Sequence, residues 1–332
     1  MIWWIAVGIA GVLLVTIGLT WRRWAEATIN LLRRRAGYVR HSIGVDGFEL
    51  VYYETGPRDA PVMLLLHGFG GDADNWVMLA PLLREHYRII IPDLPGFGDT
   101  GYLGGKSYSL DNQLARLKDF VDMLHLQHIH LVGNSLGGYF AAAFAAAHPE
   151  RIASLALFNA AGVDMPTRSP FYEAALIGEN WLLVRKPSDF DRILQLVYHK
   201  KPFVPGYLRD YLVAHRMLVS DDQDVVFHEI FTERIWLDSR LPQISAPTLI
   251  LWGDDDRVLD ISSIKLFQAG IPHAQTAILP ACGHVPMLEK PDATARVYRQ
   301  FLAGLTATAE TQTVSESADH ALADAKPQQE LV

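Results

Sequence analysis

Leu131–Tyr139, "LVGNSLGGY", sets one hydroxyl among small residues: Gly133 stands two places before Ser135 and Gly137 two places after it. The apolar, β-rich run Ile129–Asn134 before the serine predicts a strand, and the alanine-rich run from Gly137 to Glu150 predicts a helix. A serine at that junction sits in a tight turn, held in a strained backbone conformation. Only neighbours without side chains at 133 and 137 let strand and helix pass so closely. The turn lifts the hydroxyl clear of the strand and sets it at a helix N-terminus, where free NH groups favour negative charge.

Working outward, Val62–Phe69, Tyr87–Asp93, Ala153–Asn159 and Pro247–Asp254 are near-continuous apolar runs, as expected of strands covered on both faces. Helical stretches such as Leu110–Leu126 fill the intervals at crossover length. The alternation predicts an α/β protein with a mostly parallel central sheet flanked by helices. One interval breaks the rhythm. From Gly162 to about Leu241 no such strand recurs, only helical segments punctuated by proline, so residues 162–241 are expected to form an inserted helical cap. The core is then residues 38–161 together with 242–305.

The 332 residues are half hydrophobic, enough for one large core with an insertion, and the net charge of −8 offers no basic surface for nucleic acid. Cys282, the lone cysteine, forms no intramolecular disulfide and does not reveal the compartment. Ile2–Thr20 carries no charged side chain; as a helix it is about 28 Å long, close to the hydrocarbon thickness of a bilayer. Tryptophans 3, 4, 21 and 24 flank it, Arg22 and Arg23 stop it, and it has neither the basic start nor the small-residue cleavage site of a signal peptide. Residues 1–20 are therefore expected to be a single-pass anchor in the cell membrane. Arginines after the span favour a cytoplasmic domain, but the short N-terminus leaves the side open. In residues 21–37, Trp21, Trp24, Ala25, Thr28, Leu31 and Leu32 share one helical face, as in a helix lying among lipid headgroups; an ordinary core helix is the alternative. Residues 306–332 are acidic, poor in aromatics and expected to be disordered. Oligomeric state leaves no mark.

With a strand before it and a helix after it, G-x-S-x-G is the setting of a nucleophile elbow. A serine hydroxyl attacks only when a base takes its proton, so a histidine and an orienting carboxylate must follow. The histidine is His284. Of thirteen histidines it alone directly follows the last strand, "AQTAIL", in a Gly-His turn ahead of a final helix. His67 precedes the serine and shapes its own loop; His273 falls before the last strand, at the wrong end. Asp254, Asp255, Asp256 and Asp260 crowd one loop, and their positions alone do not choose among them. No cofactor or metal is expected.

From about Tyr38 to Leu305 the chain resembles the α/β-hydrolase superfamily, on "HGFGGDADNW", "LVGNSLGGY", "WGDDDR" and "LPACGH". The resemblance implies that the acid is the aspartate of G-x-x-D, which is Asp256, with Asp254 and Asp255 solvated or turn-forming and Asp260 starting a helix. The earlier acid position used by some members falls near Asn159, which carries no charge. The H-G-x-G loop implies an oxyanion hole made by the backbone NH groups of Phe69 and Leu136; "PDLPGFGDT" (92–100) is expected to be structural. Within the superfamily, the N-terminal span, "NAAGV" and "WGDDDRVLDIS" resemble membrane-anchored monoacylglycerol lipases and bacterial PlaF-type phospholipases A. That implies hydrolysis of a glycerolipid carboxylic ester (monoacylglycerol, lysophospholipid or phospholipid) through an acyl-enzyme, with a lipid ester as substrate and the bilayer as partner. Two alternatives stand beside it. Carbon-carbon bond hydrolases of ring-fission products share "GNSLGG" and "WGDDDR", but they carry a proline in the loop where this chain has Gly71 and lack an anchor. A ligand-binding receptor can also retain such a triad. Ser135 argues against dehalogenases and epoxide hydrolases, whose nucleophile is aspartate.

Overall fold

The apolar runs become strands in the computed structural model, which describes residues 21–233 and 235–305. In chain order the elements are α1 (21–36), β1 (Val39–Val45), β2 (Phe48–Thr55), β3 (Val62–Leu66), α2 (Ala80–Leu83), β4 (Arg88–Pro92), α3 (Leu110–Met123), β5 (Ile129–Asn134), α4 (Leu136–Ala147) and β6 (Ile152–Phe158). Then come α5 (Pro170–Leu176), α6 (Pro187–Val197), α7 (Gly206–Leu218), α8 (Ser220–Glu233), β7 (Thr248–Gly253), α9 (Ser263–Gly270), β8 (Gln275–Leu279), α10 (Pro286–Glu289) and α11 (291–305). One sheet runs β1-β2-β4-β3-β5-β6-β7-β8. Its pairings from β4 to β8 are parallel, and β1 and β2 join antiparallel at one edge.

The edge pair is an addition to the strands read from the sequence. Val45 faces Phe48 across the two-residue turn Asp46-Gly47, both at positive φ (47° and 84°), the geometry of a type I′ hairpin. The inner strands are buried as their composition requires: Met63 to Leu66 and Ile89 to Ile91 are fully inaccessible. Helix α4 is buried from Leu136 to Ala146, and its alanines let it lie close against the sheet. This packing holds the residue before α4 in place from both sides.

Helices α5 to α8 fall between β6 and β7, where the strand rhythm lapses in the sequence. Val184, Phe190, Ile193, Leu194 and Val213 form a small core that joins α6 to α7. Helix α1 docks on the globular part. Ala25 and Ala36 are buried, Thr28 Oγ1 lies 3.0 Å from the Tyr207 hydroxyl, and Arg33 binds Asp74 at 2.8 and 3.0 Å and the Tyr53 hydroxyl at 2.8 Å. The apolar stripe read from the sequence is thus divided. Its Ala25 edge meets protein, whereas Trp24 and Leu31, one heptad apart, are 67% and 49% exposed. Among the described residues no helix is long and apolar enough to cross a membrane; the expected anchor (1–20) and tail (306–332) lie outside them.

Candidate active site

Four strand ends converge on one place. Ser135 follows β5, Asn159 follows β6, Asp256 lies three residues beyond β7, and His284 lies in the loop after β8. Ser135 has φ 54° and ψ −118°, a conformation that costs a non-glycine residue roughly 1–3 kcal/mol. Backbone bonds hold it there: Ser135 N donates to Phe158 O at 3.1 Å, and Tyr139 N and Ala161 N both donate to Ser135 O at 3.0 Å. A Cβ at Gly133 would fall on the Gly137 carbonyl, and one at Gly137 on the Leu66 carbonyl, so both positions need the space that only glycine leaves.

His284 is buried, and its Nδ1 lies 2.8 Å from Asp256 Oδ2. That carboxylate is saturated with donors. Oδ2 also accepts from Asn159 Nδ2 at 2.7 Å, while Oδ1 accepts from Val258 N at 2.8 Å and Leu259 N at 3.0 Å. The crowded loop is thereby sorted. Asp255 turns outward to His199 and Arg257, Asp254 accepts from Cys282 N, and Asp260 accepts from Ser262 N just before α9. His273 bonds Ala246 O, before β7 and away from these strand ends. Asn134 ties two of the loops together, donating to Phe158 O and to His284 O at 3.0 Å each.

His67 is fully buried, and burial lowers its pKa below the ordinary imidazole value, so it is neutral. Its Nε2 accepts from Leu94 N at 3.0 Å, which leaves the proton on Nδ1 to be donated to Gly68 O at 2.8 Å. It therefore fixes the loop 67–71 against the one after β4. Asp93 reinforces that contact by accepting from Ala73 N and Asp99 N at 2.7 Å each, which gives "PDLPGFGDT" its structural role. Phe69 and Leu136 flank Ser135, and within the described backbone neither of their NH groups donates to another backbone carbonyl.

Ser135, His284, Phe69 and Gly68 line one cavity of ≈ 230 Å³, to which α6 contributes Phe190, Ile193, Leu194 and Val197 and α7 contributes Leu212. Ser135 and His284 meet at this cavity without a hydrogen bond between them, a loose arrangement that is common before substrate binds. A smaller apolar chamber of ≈ 40 Å³ also reaches Ser135, lined by Phe171, Phe227 and Phe231. It shares Leu136, Ala161, Ile230, Phe231 and Leu259 with a third chamber of ≈ 60 Å³ that reaches Trp236. Together these two chambers extend apolar space away from the serine. No three-residue metal-ligating group occurs among the described residues.

Residues 61–291 match the alpha/beta hydrolase fold family. The chain belongs to that family. It is 33% identical over 257 residues to Lipase 1 of Psychrobacter immobilis, covering 77% of this chain and 81% of the lipase. It is 31% identical over 305 residues to the monoacylglycerol lipase ABHD6 of Bos taurus, covering 86% and 89% of the two chains. Among solved structures, a membrane phospholipase A that is a bacterial virulence factor superposes with a TM-score of 0.85 at 39% identity, covering 90% of this chain and 98% of that one. The site of this α/β-hydrolase also uses two residues that the motifs did not assign. Asn159 holds Asp256, and Glu289 accepts from Gly283 N, His199 N and Lys200 N, fastening the end of α6 to the His284 loop. Asn159 ends a strand beside the serine's, which is the signal that could have marked it; Glu289 offers none.

Proposed function

We propose that the protein is a membrane-anchored serine hydrolase that cleaves carboxylic esters of glycerolipids through an acyl-enzyme. The observation that carries the reading is the buried His284–Asp256 pair opening, with Ser135, on an apolar cavity. Ser135 Oγ attacks the ester carbonyl while His284 Nε2 takes its proton; Asp256 keeps the other imidazole proton on Nδ1 and stabilises the imidazolium. The NH groups of Phe69 and Leu136 receive the developing oxyanion, an interaction whose loss typically costs about 3–4 kcal/mol. His284 returns the proton to the departing glycerol oxygen. It then activates a water that releases the fatty acid from Ser135. The apolar chambers suit acyl chains, and the lipase, monoacylglycerol lipase and phospholipase A relatives support lipid esters as the substrate class.

The anchor completes the reading. Residues 2–20 span the bilayer, and α1 follows with Trp24 and Leu31 turned outward from the protein, placed to enter the interface. Each methylene moved from lipid into water costs about 0.8 kcal/mol, so a detached enzyme reaches a long-chain lipid poorly. A chain beginning at residue 21 should keep its rate on a soluble nitrophenyl butyrate and lose much of its rate on lipid in vesicles. Equal vesicle rates with and without residues 1–20 would refute the anchor's catalytic role. Comparing a monoacylglycerol, a lysophospholipid and a ring-fission dienoate tests the substrate class; a preference for the dienoate would overturn it, and no hydrolysis of any ester would leave a receptor.

A further inference from the structure

Arg216, on α7, lines the ≈ 230 Å³ cavity together with Ser135 and His284. No Asp or Glu lines that cavity, although the protein as a whole carries a net charge of −8. Arg216 is half-buried, and its Nη1 lies 3.3 Å from where a Cβ on Gly70 would stand, which places it against the loop that carries the Phe69 NH. Among the described residues it has no hydrogen bond or ion pair. Arg216 also lines a neighbouring cavity, whose wall includes Asp72 and Asp222, but neither carboxylate pairs with it and neither lines the cavity with Ser135. Burial lowers its proton affinity, only partly offset by Asp72, but an arginine remains charged. A half-buried guanidinium whose donors have no protein partner is available to an anion placed beside it in the cavity.

We infer that Arg216 binds the phosphodiester of a glycerophospholipid or lysophospholipid whose ester carbonyl lies at Ser135, making it a specificity residue for phospholipid over neutral glyceride. This rests on the lipid-esterase reading above. The geometry favours the leaving-group side. The apolar chambers beside Ser135 take the acyl chain, while Arg216 lines the larger cavity next to the loop that carries the Phe69 NH. A planar fork of donors matches phosphate oxygens in pairs, and a neutral glyceride offers that fork no charge.

The test compares 1-oleoyl-lysophosphatidylglycerol with 1-monooleoylglycerol, which share the acyl chain and differ in the phosphodiester, using the full chain in mixed micelles. The readout is the ratio of kcat/KM between them. Arg216→Gln should lower the phospholipid-to-glyceride ratio about tenfold or more, mainly through KM, and Arg216→Lys should lower it by less, because an ammonium keeps the charge without the fork. If the glutamine variant fails to fold, the lysine variant alone carries the test by the same ratio. An unchanged ratio, or equal losses on both substrates, would overturn the inference while leaving the lipid-esterase reading intact. Wild-type protein inert on both lipids would overturn that reading, and the inference with it.

Discussion

Asp256→Asn should leave a folded protein whose kcat is lower by about 10⁴-fold, roughly 5.4 kcal/mol in barrier. The hydrogen bonds show why. Asp256 Oδ1 accepts from Val258 N and Leu259 N, and these backbone donors cannot turn away, so the new amide must keep its carbonyl toward them. Its NH2 then faces His284 Nδ1 and Asn159. Asn159 can adapt by rotating its own amide, because its Oδ1 has no partner among the described residues. His284 adapts only by presenting a lone pair at Nδ1, which moves its proton to Nε2 and leaves that nitrogen unable to take the proton of Ser135. The variant should therefore stay close to wild type in thermal midpoint while its rate on nitrophenyl butyrate collapses. Asp255→Asn should change kcat less than about threefold, since its pair with His199 and Arg257 is exposed and such pairs are worth little. A kcat for Asp256→Asn within tenfold of wild type, or a collapse in Asp255→Asn, would refute this reasoning.

Ser135→Ala should abolish turnover and leave the fold intact; normal folding with near wild-type activity would sink the mechanism. Ser135→Gly should also be inactive but about 1 kcal/mol more stable by denaturant titration, because glycine accepts φ 54° without strain. His284→Ala should match Ser135→Ala in rate. Asn159→Leu removes one donor from Asp256 and should lower kcat about tenfold, with activity partly restored in Asn159→Gln. Gly137→Ala should destabilise the protein by about 3 kcal/mol in thermal unfolding, since its Cβ would meet the rigid Leu66 carbonyl.

Strands β3 to β7 are legible because each is a continuous apolar run, and such a run has few folds available other than a covered sheet. Ser135 follows from where one of those runs ends, and His284 from the end of the shorter run that becomes β8. Strand β1 is not legible in the same way. It is half-exposed and mixed in polarity, and becomes a strand by pairing with β2; the Asp46-Gly47 hairpin signal stands between two runs too polar to claim it. The acid needed the family pattern, because four aspartates in seven residues differ in chain position less than in what they face. Periodicity placed α1 but not the edge of its apolar stripe that meets protein, since that depends on Tyr207, Asp74 and Tyr53, which are distant in sequence. The cavity of Arg216 is hidden for the same reason. It exists only where α6, α7 and the loop 67–71 meet.

The rigid and adaptable parts of the site divide along the same line. Asn134 bonds both the Phe158 carbonyl and the His284 carbonyl, and Ser135 bonds Phe158 and Ala161, so the elbow, the end of β6 and the histidine loop form one unit. The helical insertion joins that unit at the end of α6. There His284 N donates to Val197 O at 2.8 Å, and Glu289 receives His199 N and Lys200 N. Displacing that end of the insertion would pull directly on the backbone of His284. Among the described residues α7 makes no hydrogen bond to the histidine loop; it meets α6 through Val213 and the Arg209–Asp191 pair, and it carries Arg216. If Arg216 holds a headgroup as inferred above, exchanging one headgroup for another would load α7 and leave the hydrogen bonds that hold the His284 loop in place.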